Sequence, residues 1–189
     1  MKKKLFVLAL VAIFALFAGC GGDGEADLGD NGDQDTTSPP GVDAVTTASV
    51  VDNEADFKAA ISSQGTWIIC TLKDLTFDED LVLEGNFING KKDDAGNDIV
   101  QRKIGLYTQD ENRNVTARFT LTAPKLTINS PEASIQHGTF KGDLYVVEKN
   151  FQLVDAVVDG NIYFASEEAK STFTMDDKSS VTGTQELEQ

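Results

Sequence analysis

FKGDLYV at 140–146 and VDGNIYF at 158–164 are two versions of one phrase, offset by a step of 18. Each runs apolar residue, free position, Gly, Asp or Asn, apolar residue, Tyr, apolar residue. Working outward, the same spacing recurs. Leu126, Leu144 and Ile162 follow one another in two further steps of 18. Ile135 leads to Leu153 at 18 and then to Phe173 at 20; Phe140 leads to Val158 at 18 and then to Val181 at 23. Leu81-Val82-Leu83, preceded by Asp80, reads as an earlier copy, and the polar NGKKDDAGND at 89–98 reads as a loop bulging from it. Three short strands per repeat, each with inward apolar residues, predict an all-β parallel solenoid. In such a fold each repeat stacks on the last at about 4.8 Å, so a position meets its own counterpart above and below. An antiparallel β-sandwich also holds many short strands, but gives three registers no reason to stay in step.

The phrase then has a reading. Gly142 and Gly160 fall at a corner, where positive φ or close backbone approach is needed. Asp143 and Asn161 tolerate corners too and can stack in a ladder. Leu144, Val146, Ile162 and Phe164 point inward. Tyr145 and Tyr163 alternate outward, one directly above the other. The pattern x-G-[DN]-[LI]-x-[VF] at this spacing resembles the rungs of right-handed β-helices, most closely the bactofilin-type, polymer-forming solenoids. The resemblance covers about 115–185 and implies a single-stranded right-handed parallel β-helix. Bactofilin-type rungs are more uniform than 84–115 is here, and those proteins work inside the cell, so only the architecture carries over.

The first residues point to export. Lys2, Lys3 and Lys4 precede an uninterrupted apolar run from Leu5 to Ala18. As a helix that run is roughly 21 Å long, short of the roughly 30 Å hydrocarbon core, so it reads as a signal peptide over 1–19. Phe17-Ala18-Gly19-Cys20 resembles the bacterial lipobox. That resemblance implies cleavage before Cys20, lipidation of its thiol and an extracytoplasmic protein anchored to the bacterial cell membrane. Residues 20–50 follow as a tether; 21–50 hold seven acids, six Gly and no Lys or Arg, too little apolar mass to offset ordering entropy. The solenoid domain is expected over 51–189. It starts with a short capping helix with Asp52 or Asn53 as N-cap and Phe57, Ala60 and Ile61 on one apolar face. Such a helix resembles the cap of secreted β-helix proteins. The acidic end TQELEQ reads as a guard against end-to-end stacking.

Composition excludes several functions. The 189 residues carry 31 acids against 16 Lys and Arg, a formal charge of −15, which argues against nucleic acid as partner. The single His137 sits by Gly138, with no nucleophile placed by motif. Neither a cofactor nor a metal site is expected: one His and one available Cys do not make a zinc set, and DLGDNGDQD lacks calcium-loop spacing. Cys70, within Trp67-Ile68-Ile69-Cys70, reads as a buried small hydrophobe with no basic neighbour in sequence. Adjacent acids such as Asp78-Glu79-Asp80 are what loops of so acidic a chain contain, so no catalytic residue is assigned. The candidate binding residues are Tyr145 and Tyr163, whose rings suit sugar faces. The functional expectation is a membrane-anchored, non-catalytic scaffold or binding module for envelope polysaccharide or protein. The alternative is a small polysaccharide-active β-helix lyase or hydrolase.

Overall fold

A computed structural model describes residues 48–188. The expected signal peptide at 1–19, Cys20 and nearly all of the expected tether at 20–50 lie outside them. Strand β1 (Ser49–Val51) leads into helix α1 (Glu54–Ile61), then β2 (Ile68–Thr71), β3 (Leu75–Thr76) and β4 (Leu81–Glu84). Next come β5 (Ile88–Lys92), β6 (Asp98–Val100), β7 (Arg102–Gly105), β8 (Tyr107–Gln109) and β9 (Val115–Arg118). The regular part holds β10 (Thr120–Asn129), β11 (Ala133–Gln136), β12 (Thr139–Val146), β13 (Gln152–Val154), β14 (Val157–Asp159) and β15 (Ile162–Phe164). Helix α2 (Glu167–Thr172) precedes β16 (Thr174–Met175), β17 (Ser180–Val181) and β18 (Gln185–Leu187).

The domain is all-β with two parallel sheets. The six-stranded sheet runs β1-β2-β7-β11-β13-β16. The eight-stranded sheet is ordered β17-β14-β12-β10-β3, with β4 beside β10 and β15 and β18 continuing from β12. Apart from β1 and β2, which only α1 separates, neighbours in one sheet are thus separated along the chain by strands of the other. The antiparallel alternative fails for both sheets; among the described residues antiparallel pairing is confined to the hairpins β5–β6 and β8–β9. The expected registers hold through the middle. Leu81, Leu126, Leu144 and Ile162 are successive partners. So are Ile135 and Leu153, and Phe140, Val158 and Val181. One register is corrected: Leu153 pairs with Met175, not Phe173. The reason is α2, which takes up residues 167–172 before the strand resumes. Phe173 ends that helix and packs inward against Phe151 and Phe164, at ring distances of 5.8 and 5.4 Å.

Alternation builds the core. Leu126, Ile128, Leu144, Val146, Ile162 and Phe164 are all buried, and the residues between them face out. Each such side chain contributes about 1.5–3 kcal/mol by leaving water. Helix α1 starts at Asn53, whose Oδ1 accepts the Asp56 N–H at 2.9 Å, with Glu54 and Asp56 in the first turn. Its Phe57, Ala60 and Ile61 are buried as expected. The contacts that α1 makes with β1, β2 and β4 place it at one edge of the sheets. Arg102, which no sequence pattern singles out, is fully buried beside it. Its Nη2 donates to the Ala60 and Ser62 carbonyls at 2.9 Å each, and its guanidinium lies 3.9 Å from the Phe87 ring centre. Burial lowers its pKa to about 10.

Corners repeat as well. Glu132 and Asn150 both have positive φ, as do His137 and Asp155. The members of each pair stand one repeat apart, and each pair is bridged by a side-chain hydrogen bond. Gly142 has φ +133°. A Cβ there would lie 1.9 Å from the Ala123 carbonyl oxygen, and one on Gly160 would lie 2.0 Å from the Gly142 oxygen. Gly142 needs both features expected of a corner glycine; Gly160 needs only the close approach.

Candidate functional site

The two tyrosines come together as the spacing requires. Tyr145 of β12 is the register partner of Tyr163 of β15. Thr127 lies beyond Tyr145 in the same row, and Glu186 of β18 lies beyond Tyr163. Both tyrosines are half-buried, because inward Leu144, Val146, Ile162 and Phe164 fix the alternation that turns them out. They line a groove of about 490 Å³ together with Lys125, Asp143, Glu186, Leu187 and Glu188. That size falls within the roughly 300–1,000 Å³ of small-molecule sites.

The groove's charged walls are positioned by the corner beside the tyrosines. Asp143 Oδ1 accepts the Asn161 backbone N–H at 2.9 Å and the Asn161 side-chain amide at 3.0 Å. Asn161 Oδ1 in turn accepts the Thr184 N–H at 2.9 Å. The Asp/Asn ladder therefore forms, and it extends to the turn before the last strand. Lys125 pairs with Asp80 at 2.9 Å, which raises the Lys125 pKa. The Tyr145 hydroxyl donates to the Glu188 carboxylate, and that bond raises the phenol's pKa. Among the described residues Lys125 is the one cation lining the groove, against three carboxylates, and it is already paired.

Sequence reasoning missed Glu186, Leu187 and Glu188. The acidic end was expected to be a guard, with no part in a site; Gln185–Leu187 forms β18 in register with β15, and Glu188 reaches Tyr145. A signal for this existed in the sequence. The step of 23 from Val158 to Val181, applied to Tyr163, lands on Glu186.

The other residues weighed from sequence lie elsewhere. His137 sits at a corner with φ +62°, its Nδ1 3.0 Å from Asp155 Oδ2 and its ring edge-on to Tyr107 at 4.4 Å. Arg118 also holds Asp155 at 2.5 Å. That bond, with a smaller contribution from His137, keeps the Asp155 carboxyl below its ordinary pKa. Cys70 is half-buried on the outer side of β2, not in the core, because Ile69 and Thr71 take the inward positions. Burial raises the thiol's pKa; Lys103 lies near enough to favour the thiolate, but its charge is outweighed. Among the described residues no group of three or more His, Cys, Asp or Glu could hold a metal ion. Nor is any helix there long and apolar enough to cross a membrane. No family model matches the chain, and neither a curated protein nor a solved structure matches it significantly.

Proposed function

We propose that the chain is an exported bacterial lipoprotein, anchored through Cys20, whose folded domain is a non-catalytic module that binds envelope polysaccharide at the Tyr145/Tyr163 groove. The observation that carries this reading is the register pairing of two outward tyrosines on the floor of a groove walled by polar side chains. A sugar ring presents a C–H face to an aromatic ring and hydroxyls to carboxylates, and the groove supplies both kinds of partner. The finer architecture belongs to the same proposal: a single-stranded right-handed parallel β-helix with α1 as its N-terminal cap. Support comes from strands that alternate between two parallel sheets and from corners that recur once per repeat, Glu132 with Asn150 and His137 with Asp155. The bactofilin-like rung pattern favours it too. The basic n-region, the apolar run after it and Ala18-Gly19-Cys20 support export and anchoring, and the acidic stretch that follows supplies a tether.

The binding reading is tested by retention on envelope polysaccharide. Tyr145→Ala/Tyr163→Ala should abolish retention while leaving the far-UV circular dichroism unchanged; equal retention by variant and wild type ends the idea. The anchor is tested separately by metabolic labelling with a fatty-acid probe. Label should appear on the wild type and vanish in Cys20→Ala, and an unlabelled wild type removes the anchor.

The enzyme alternative has one observation in its favour, the carboxylates Asp143, Glu186 and Glu188 near Lys125. Glycoside hydrolysis needs a pair of carboxyl groups free to protonate and attack across one bond. Here Asp143 is engaged by Asn161, and Glu188 by Tyr145. Release of new reducing ends from envelope polysaccharide by the wild type, absent in Glu186→Gln, would favour the enzyme over the binding module.

A further inference from the structure

Whether the groove prefers a neutral, an anionic or a cationic sugar follows from its charges, and the answer deepens the binding reading on which it rests. Three carboxylates line it: Asp143 at the corner, and Glu186 and Glu188 on the side formed by the last strand. Its one cation among the described residues, Lys125, is turned to Asp80. Asp143 uses Oδ1 to hold Asn161, whereas Glu186 has no side-chain hydrogen bond among the described residues. Among the described residues the Glu188 carboxylate is held only by the neutral Tyr145 hydroxyl. An anionic sugar, a uronate or a phosphorylated one, would face net repulsion. A neutral sugar would leave the carboxylates of Glu186 and Glu188 without a charged partner.

We propose that the groove recognises a glycan bearing free ammonium groups, such as a run of de-N-acetylated glucosamine. A ring rests on the Tyr145/Tyr163 pair, and its ammonium is taken by Glu186 and Glu188. The ammonium replaces the Tyr145 hydroxyl as the partner of Glu188, exchanging a neutral donor for a charged one, which makes the stronger hydrogen bond. The aromatic pair adds attraction for the same cation through its ring faces. A basic peptide carries similar charge but fits the place less well. The groove lies on the face of the sheet, where β12 and β15 are paired with neighbours on both sides. An extended peptide lying over β12 and β15 finds their main-chain groups already paired, and only the outer side of β18 stays open for the pairing from which such ligands gain affinity.

The test is titration calorimetry of the full chain against four probes: a glucosamine hexamer, its N-acetylated counterpart, a galacturonate oligomer and hexalysine. The glucosamine hexamer should bind, about tenfold or more tighter than the acetylated one. Added salt should weaken that binding, and the galacturonate oligomer should give no heat. Glu186→Gln/Glu188→Gln should erase the preference between the two hexamers, with circular dichroism confirming the fold. Lys141→Gln, outside the groove, should leave the preference intact. Equal affinity for the two hexamers overturns the ammonium proposal and leaves sugar binding standing. No binding to any sugar removes both. Hexalysine binding as tightly as the glucosamine hexamer overturns the glycan in favour of a basic peptide.

Discussion

The stretch from β10 to β15 and the stretch from β5 to β9 obey different rules. In the first, each strand meets its counterpart one repeat further along the chain, and corners, core and outward rows all recur. In the second, two antiparallel hairpins flank β7, and the step from Leu81 to its partner Leu126 is far longer than one repeat. Each hairpin is closed by its own local chemistry. Asp93 Oδ1 accepts the N–H groups of Ala95 and Asn97, and Asp110 Oδ1 accepts those of Asn112 and Asn114. The Asn side chain closes each loop on the other Asp oxygen. Long-range register holds the first region and β7 of the second, whereas short Asp-to-Asn loops hold the two hairpins, so substitutions should be felt globally in the first region and locally in the hairpins.

The sharpest contrast is between two glycines of positive φ. Gly142→Ala must move the Ala123 backbone as well as adopt a conformation that L-residues avoid, so it should cost more than about 4 kcal/mol or prevent folding. Gly96→Ala, in the first hairpin loop, meets no atom within 4 Å and should cost only the left-handed backbone term, about 1–2 kcal/mol. Urea denaturation of both reads the difference; equal losses would erase the distinction between the regions.

Leu144→Ala should lower stability by about 2–5 kcal/mol, since Leu144 is fully buried between Leu126 and Ile162. Arg102→Ala is a comparable case in the irregular region. It leaves the Ala60 and Ser62 carbonyls without their guanidinium donor and opens a space under α1, a loss of about 2–4 kcal/mol. Hydrogen exchange should show α1 loosening first. Asp93→Ala sits at the other extreme: faster exchange confined to 88–100, with the midpoint of global unfolding unmoved.

The acid limb of stability draws on both regions, since Asp93 and Asp110 in the hairpin loops and Asp155 in the regular stretch all have lowered pKa values. Asp155 is ionised and held by Arg118 and His137, so its folded pKa lies below the unfolded value of about 3.9. Its contribution is therefore present above that value and lost as pH falls through the folded pKa. Asp155→Asn should flatten the stability profile on the acid side and leave it near wild-type slope above neutrality.

What was legible in the sequence follows the same division. The period of 18 fixes which residues face in and places Tyr145 beside Tyr163, because parallel strands in register repeat chemistry at constant spacing. The Asp/Asn ladder at 143 and 161 was readable for the same reason. The paired Asp-to-Asn loops were not, since a local turn answers to its own few residues and not to the period. His137 and Asp155 show another limit: non-glycine residues at positive φ leave no glycine in the sequence to mark them. Half of the groove was hidden because α2 and a longer turn shift the last strands to steps of 22 and 23, which moved Phe173 out of its expected row and brought Glu186 into the tyrosine row.

Two-dimensional NMR of the full chain, titrated with envelope polysaccharide fragments, tests the account most directly. Shift changes should appear at Tyr145, Tyr163, Glu186 and Glu188, with the hairpins at 88–100 and 107–118 unmoved. Changes centred on the hairpins, or none at saturating fragment, would contradict it.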